Sequence, residues 1–94
     1  MPYTVERYVR DYKGDESARD TWEFATESEA MEFARSFDLA QDFRREILGG
    51  VGPDRWKRVE VVEVIEIDSE DEYVGTIEEF TYSRKDYDHD SEEE

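Results

Sequence analysis

The sequence predicts an α+β domain: a mainly antiparallel sheet of about four strands in the order β-β-α-(α)-β-β, with the helical segment packed on one face. Three observations lead there. The runs 3–12, 56–67 and 73–82 alternate in polarity and are rich in β-branched and aromatic residues, the period-2 mark of a strand. Between the first and second of them, apolar residues recur at the helical spacing of three and four. Turn-forming residues separate the runs at short intervals, which suits hairpins better than crossovers.

Residues 3–12 place Tyr3, Val5 and Val9 on one side and Thr4, Glu6, Tyr8 and Arg10 on the other. Lys13-Gly14-Asp15-Glu16-Ser17 supplies a turn, and Trp22-Glu23-Phe24 resumes the alternation, so a first hairpin is expected. Thr26-Glu27-Ser28-Glu29 fits a capping box, in which the Thr26 hydroxyl accepts from the Glu29 backbone N–H and the Glu29 side chain reaches back. Ala30, Phe33, Ala34 and Phe37 then share one helical face. Asp38 offers a second cap before Leu39, Phe43 and Ile47, and Gly49-Gly50 a stop, so the segment 27–48 is one bent helix or two short ones. Phe33, Phe37 and Phe43 are expected to bury one sheet face. Residues 51–54 read as a loop. The runs 56–67 and 73–82, joined by the polar turn 68–72, read as a second hairpin. Residues 86–94 hold six acids and, apart from Tyr87, nothing apolar, so a single domain over 1–85 with a disordered acidic tail over 86–94 is expected.

Charge is the dominant feature. The chain has 12 basic and 28 acidic residues, a formal net charge of −16, and removing the six acids of the tail still leaves −10 on the body. Such an excess excludes direct binding to nucleic acid or anionic membrane and makes basic partners the natural class. Aromatic residues at 14% argue for a packed core and against wholesale disorder. Without cysteine there is neither a disulfide framework nor thiol chemistry. No apolar run approaches the roughly 20 residues that cross a bilayer, and the start of the chain lacks a basic and an apolar signal region. A cytoplasmic protein is expected, in the host cytoplasm if phage-encoded.

Catalysis finds little support. The only histidine, His89, falls in the tail, and serine nucleophiles would lack a base. Acidic pairs of glycosidase type arise by chance in a chain so rich in Asp and Glu. Asp68, Glu70, Glu72 and Glu79 occupy the first, third, fifth and twelfth places of a calcium-loop template, but Tyr73 stands where the sharp turn needs glycine and the flanks are strand-like. No enzyme activity, cofactor or metal site is expected.

The acids that stand out lie on the second hairpin. Glu60, Glu63, Glu66, Asp68, Glu70, Asp71, Glu72, Glu78 and Glu79 form a stretch without a single Lys or Arg. Solubilising surfaces normally mix the two signs, and like charges on neighbouring strands repel. Alternate residues on one strand face stand about 6.6 Å apart, close to the phosphate step along one DNA strand. These nine carboxylates are therefore the expected partner-binding residues, placed to occupy a Lys/Arg groove built for phosphates. The other reading is a small structural or adaptor domain with an acid-rich surface, from a halophilic or acid-adapted source.

In size, acidity and α+β pattern the chain resembles the small DNA-mimic proteins of phages and mobile elements, most of all the anti-CRISPR proteins. The resemblance implies a non-enzymatic inhibitor acting by occlusion, with no active-site residues to carry over. It implies as partner the nucleic-acid groove of a CRISPR surveillance complex or its nuclease, with a restriction enzyme next.

Overall fold

In the computed structural model, which describes residues 2–92, the chain runs β1 (Tyr3–Arg10), β2 (Asp20–Phe24), α1 (Glu27–Arg35), α2 (Leu39–Gly49), a 3-10 turn (Pro53–Lys57), β3 (Val59–Ile67), β4 (Tyr73–Tyr82) and α3 (Arg84–Glu92). The strands form one antiparallel sheet in the order β2-β1-β3-β4. The α+β class and the strand–strand–helix–helix–strand–strand order are those expected.

Alternation along the two inner strands decides what each face does. With Val5 opposite Val64 and Arg7 opposite Val62, one face turns Val5, Val62, Val64 and, from β4, Tyr82 toward the helices. Ala30 and Ala34 of α1 and Leu39, Phe43 and Ile47 of α2 close over them to form the core. Small residues on α1 let that helix approach the sheet closely, while Phe43, fully buried, fills the space under α2. Phe33 and Phe37 are only half-buried. They join Trp22 and Phe24 in an aromatic cluster at the β2 side, with ring centroids 5.0–5.5 Å apart.

Local chemistry sets the boundaries. The Asp11 carboxylate accepts from the backbone N–H of Lys13 and Asp15, and Gly14 takes φ +84°, which ends β1 at Arg10. The Thr26 hydroxyl accepts from the Glu29 N–H as expected and donates to the Glu29 carboxylate, so the box closes side chain to side chain. Asp38 caps a separate second helix by accepting from the Gln41 N–H. Gly50 then ends α2 in extended conformation, not in a left-handed one. A Cβ there would sit 3.2 Å from the Glu46 carbonyl and 3.3 Å from Arg55, so it is close approach that favours glycine.

The tail departs from expectation: α3 starts at Arg84. The Asp86 carboxylate accepts from the Ser83 N–H and hydroxyl, a cap of the Ser-x-x-Asp kind. Tyr87 then packs on Phe43 and Trp56, with centroids 5.9 and 5.5 Å away, and the Tyr82 hydroxyl donates to Asp90. One aromatic side chain and one cap suffice because β4 already brings the segment against the core. Residues 93 and 94 lie outside the described part.

Candidate functional site

The acidic hairpin is built around Asp68. Its carboxylate accepts from the backbone N–H of Glu70 and Glu72 at 2.8 and 3.0 Å, and its own N–H donates to the Glu72 carbonyl. Asp71 takes φ 62°, which Asp tolerates better than most side chains. The five-residue turn is thereby held in shape without glycine or proline, and Glu70, Asp71 and Glu72 fan out from it into solvent.

The structure separates the nine expected partner-binding residues into three groups. Glu66, Asp68, Glu70, Asp71, Glu72, Glu78 and Glu79 are exposed at the end of β3, on the turn and on β4, and among the described residues none of them forms an ion pair. Glu63 is half-buried on the sheet face away from the helices, where it accepts from the Tyr8 hydroxyl. Glu60 is 1% exposed. It lies on the helix face and accepts from Arg7 at 2.5 Å and from Arg58 at 3.0 Å, while Arg7 also meets Asp42 at 3.4 Å and Arg58 meets Glu46 at 3.6 Å. A carboxylate so enclosed is an internal counter-ion for two arginines and has no surface to offer a partner.

The face away from the helices is not bare. Glu6, Glu63 and Glu79 stand directly opposite one another on β1, β3 and β4, a row of like charges across three strands. Arg19 reaches back from the segment after the first turn, bonds Glu6 at 2.5 Å and Glu16 at 2.8 Å, and lies 4.0 Å from the centroid of the Tyr8 ring. Its guanidinium offsets part of the repulsion and roofs an apolar patch in which Tyr8, Val61 and Ile65 are buried. Burial, and then the hydrogen bond to Glu63, push the Tyr8 phenol up to about 12. The hydrogen bond to Arg19, the largest effect, holds Glu16 below the usual carboxylate range. Sequence alternation put Glu6 and Tyr8 on the same face; the role of Arg19 left no trace in the pattern.

Cations are distributed unevenly around this frame. Arg7, Arg10, Arg19, Arg45, Lys57, Arg58 and Arg84 all form ion pairs, and all of those pairs lie off the hairpin turn. Among the described residues no three His, Cys, Asp or Glu side chains converge as a metal ion would require, so Asp68, Glu70, Glu72 and Glu79 do not assemble the calcium-loop arrangement. The concavities are open and shallow. One of about 380 Å³ lies at the opposite end of the sheet, lined by Tyr12, Val51 and Arg55 among others. Among the described residues no helix is long and apolar enough to cross a membrane. No family model, curated protein or solved structure matches this chain.

Proposed function

We propose that this protein is a non-catalytic inhibitor that imitates the charge of nucleic acid. Its β3–β4 hairpin occupies a basic DNA- or RNA-binding groove of a host defence complex: a CRISPR surveillance complex or its nuclease first, a restriction enzyme second. The observation that carries the reading is the seven exposed carboxylates held on a hydrogen-bonded hairpin with, among the described residues, no cation paired to them, in a molecule whose arginines neutralise acids elsewhere. Fixed like charges cost stability, and a basic groove would offset that cost on docking. Glu60 is withdrawn from the interface, and Glu63 contributes through the tyrosine-bonded row instead of as a free carboxylate.

The test separates where the charge lies from how much there is. One variant reverses Glu66, Glu70, Glu72 and Glu79 to Lys, leaving Asp68 and Asp71 to hold the turn. The other reverses Asp15, Asp20, Glu23 and Glu32, which are exposed, form no ion pair among the described residues and lie on β2 and the segments either side of it, away from the β3–β4 hairpin. Each is assayed for blocking target-DNA binding by purified surveillance complexes, their nucleases and restriction enzymes. The hairpin variant is expected to lose at least about tenfold in inhibition, the change that close charge pairs at a docked interface produce, while the β2-side variant keeps most of it. Equal losses would overturn the reading and leave an acid-rich structural or adaptor domain.

A further inference from the structure

The sheet has two free edges, β2 and β4, and they are guarded differently. β2 is five residues long, begins with an acid and carries another at Glu23. β4 is ten residues long, about 33 Å of backbone, and lies at the end of the sheet with no strand beyond it among the described residues. Its first half, Tyr73-Val74-Gly75-Thr76-Ile77, carries no charge and no proline; Tyr73 is 64% and Val74 56% exposed. A Cβ added at Gly75 would meet nothing within 4 Å, so the sheet face beside it has room for a side chain of an added strand. The second half carries Glu78 and Glu79 on consecutive positions, hence on opposite faces. Long, open, β-prone edges are templates for pairing with another chain, and folded proteins normally blunt them with Lys, proline or a covering element.

We propose that β4 takes up an extended, Lys/Arg-rich segment of the partner protein as a fifth strand. Backbone hydrogen bonds along residues 73–81 would supply attachment. Basic side chains would meet Glu78 on the helix face and Glu79, at the end of the Glu6–Glu63–Glu79 row, on the other, while apolar side chains cover Tyr73 and Val74. Charge complementarity selects this occupant over a second copy of the chain: self-pairing through β4 would bring together two molecules of net charge −16, each with Glu78 and Glu79 at the seam and the acidic 68–72 turn beside it. The inference rests on the preceding reading only for the sign of the partner's charge.

A strand-forming peptide of roughly ten residues, alternating Lys with Val or Thr, is a sufficient probe. It is compared with the same peptide N-methylated on alternate amides, which keeps every charge and removes one hydrogen-bonding edge. The unmethylated peptide should slow hydrogen exchange of alternate amides within 73–81 at least about tenfold, leave β2 unchanged, and bind at least about tenfold more tightly than the methylated one. Glu78→Lys with Glu79→Lys, both exposed, should remove most of that binding, whereas Asp20→Lys with Glu23→Lys should not. Equal binding of the two peptides, or protection confined to the 68–72 turn, overturns strand addition and leaves the groove-occupying reading standing. Loss of inhibition equal in both charge-reversed variants, with β4 protection intact, does the reverse. Protection of β4 that rises with protein concentration in the absence of peptide identifies a second copy as the occupant and overturns the basic-strand proposal.

Discussion

Glu60→Ala should destabilise the fold by about 3–5 kcal/mol, the usual cost of removing one member of a buried ion pair and leaving the other charge enclosed. The geometry puts this site in that class. The carboxylate is 1% exposed and serves two guanidiniums, of which Arg7 is 13% exposed and, once Glu60 is gone, keeps the neutral Tyr8 and Val61 carbonyls, at 2.6 and 3.4 Å, but only Asp42, at 3.4 Å, as a counter-charge among the described residues. Arg58 keeps Glu46 at 3.6 Å and is nearer to water. Against a total of about 5–15 kcal/mol for an ordinary domain, the loss removes a large share of stability. With a urea slope of about 1.5 kcal/mol/M, the midpoint should fall by roughly 2–3 M. Fluorescence of Trp22 and Trp56, both half-buried, follows the transition at neutral pH. Arg7→Met combined with Glu60→Leu should recover more than half of the loss, because an apolar pair removes the orphaned charge with its partner. Glu66→Ala, on the same strand and face but exposed, should change stability by no more than about 0.5 kcal/mol. A loss below about 1 kcal/mol for Glu60→Ala, or one equal to that of Glu66→Ala, would refute the internal counter-ion role.

Phe43→Ala should cost about 3–5 kcal/mol in chemical denaturation, since the ring is fully buried and stacks with both Tyr82 and Tyr87. Ending the chain at Ser83 should cost about 1–2 kcal/mol, as the Tyr87 contacts to Phe43 and Trp56 are lost; an unchanged midpoint would show that α3 adds nothing. Tyr8 and Tyr82 are both pushed up to about 12, first by burial and then by bonding Glu63 and Asp90. The folded state therefore holds both protons where the unfolded chain has begun to lose them. That contribution, about 2–3 kcal/mol per tyrosine, should be whole below pH 10 and drain away between pH 10 and 12, and Tyr8→Phe should flatten part of the decline.

Most of the fold was legible because short-range patterns carried it. Thr26 and Asp38 cap the helices their sequence context marks, and alternation assigned Val5 and Tyr8 to opposite faces as observed. What escaped was set by contacts distant in sequence. Glu60 sits among valines like any half-exposed strand residue, and only the packing of α2 and the entry to β3 encloses it with Arg7 and Arg58. Phe33 and Phe37 fall on the correct helical face, but Ala30 and Ala34 of α1 take the central places on the sheet and the two rings meet Trp22 and Phe24 of β2, so they finish a rim cluster instead of the centre. For α3 the signal was present in Ser83-x-x-Asp86, outweighed by a composition that suggests no fold at all. The hairpin acids were legible as a group, whereas the use of Asp68 to brace its own turn became visible only with the backbone bonds in place.

The order in which the molecule assembles follows from the join between β1 and β3. Each of the two hairpins closes over a short stretch of chain, whereas the central ladder unites residues as far apart as Tyr3 and Glu66. Closing a loop of that length costs about 2 kcal/mol more entropy than closing a five-residue turn. The hairpins and the two capped helices can therefore form early, and the slow step is the meeting of the halves along β1 and β3. The N-terminal half carries twelve acids against seven bases and the C-terminal half sixteen against five, so that step brings together two bodies of like sign. Arg7 and Glu60 face each other across this seam with opposite charge. Added salt, by weakening the general repulsion more than an enclosed pair, should quicken the docking of the halves while leaving the finished seam intact.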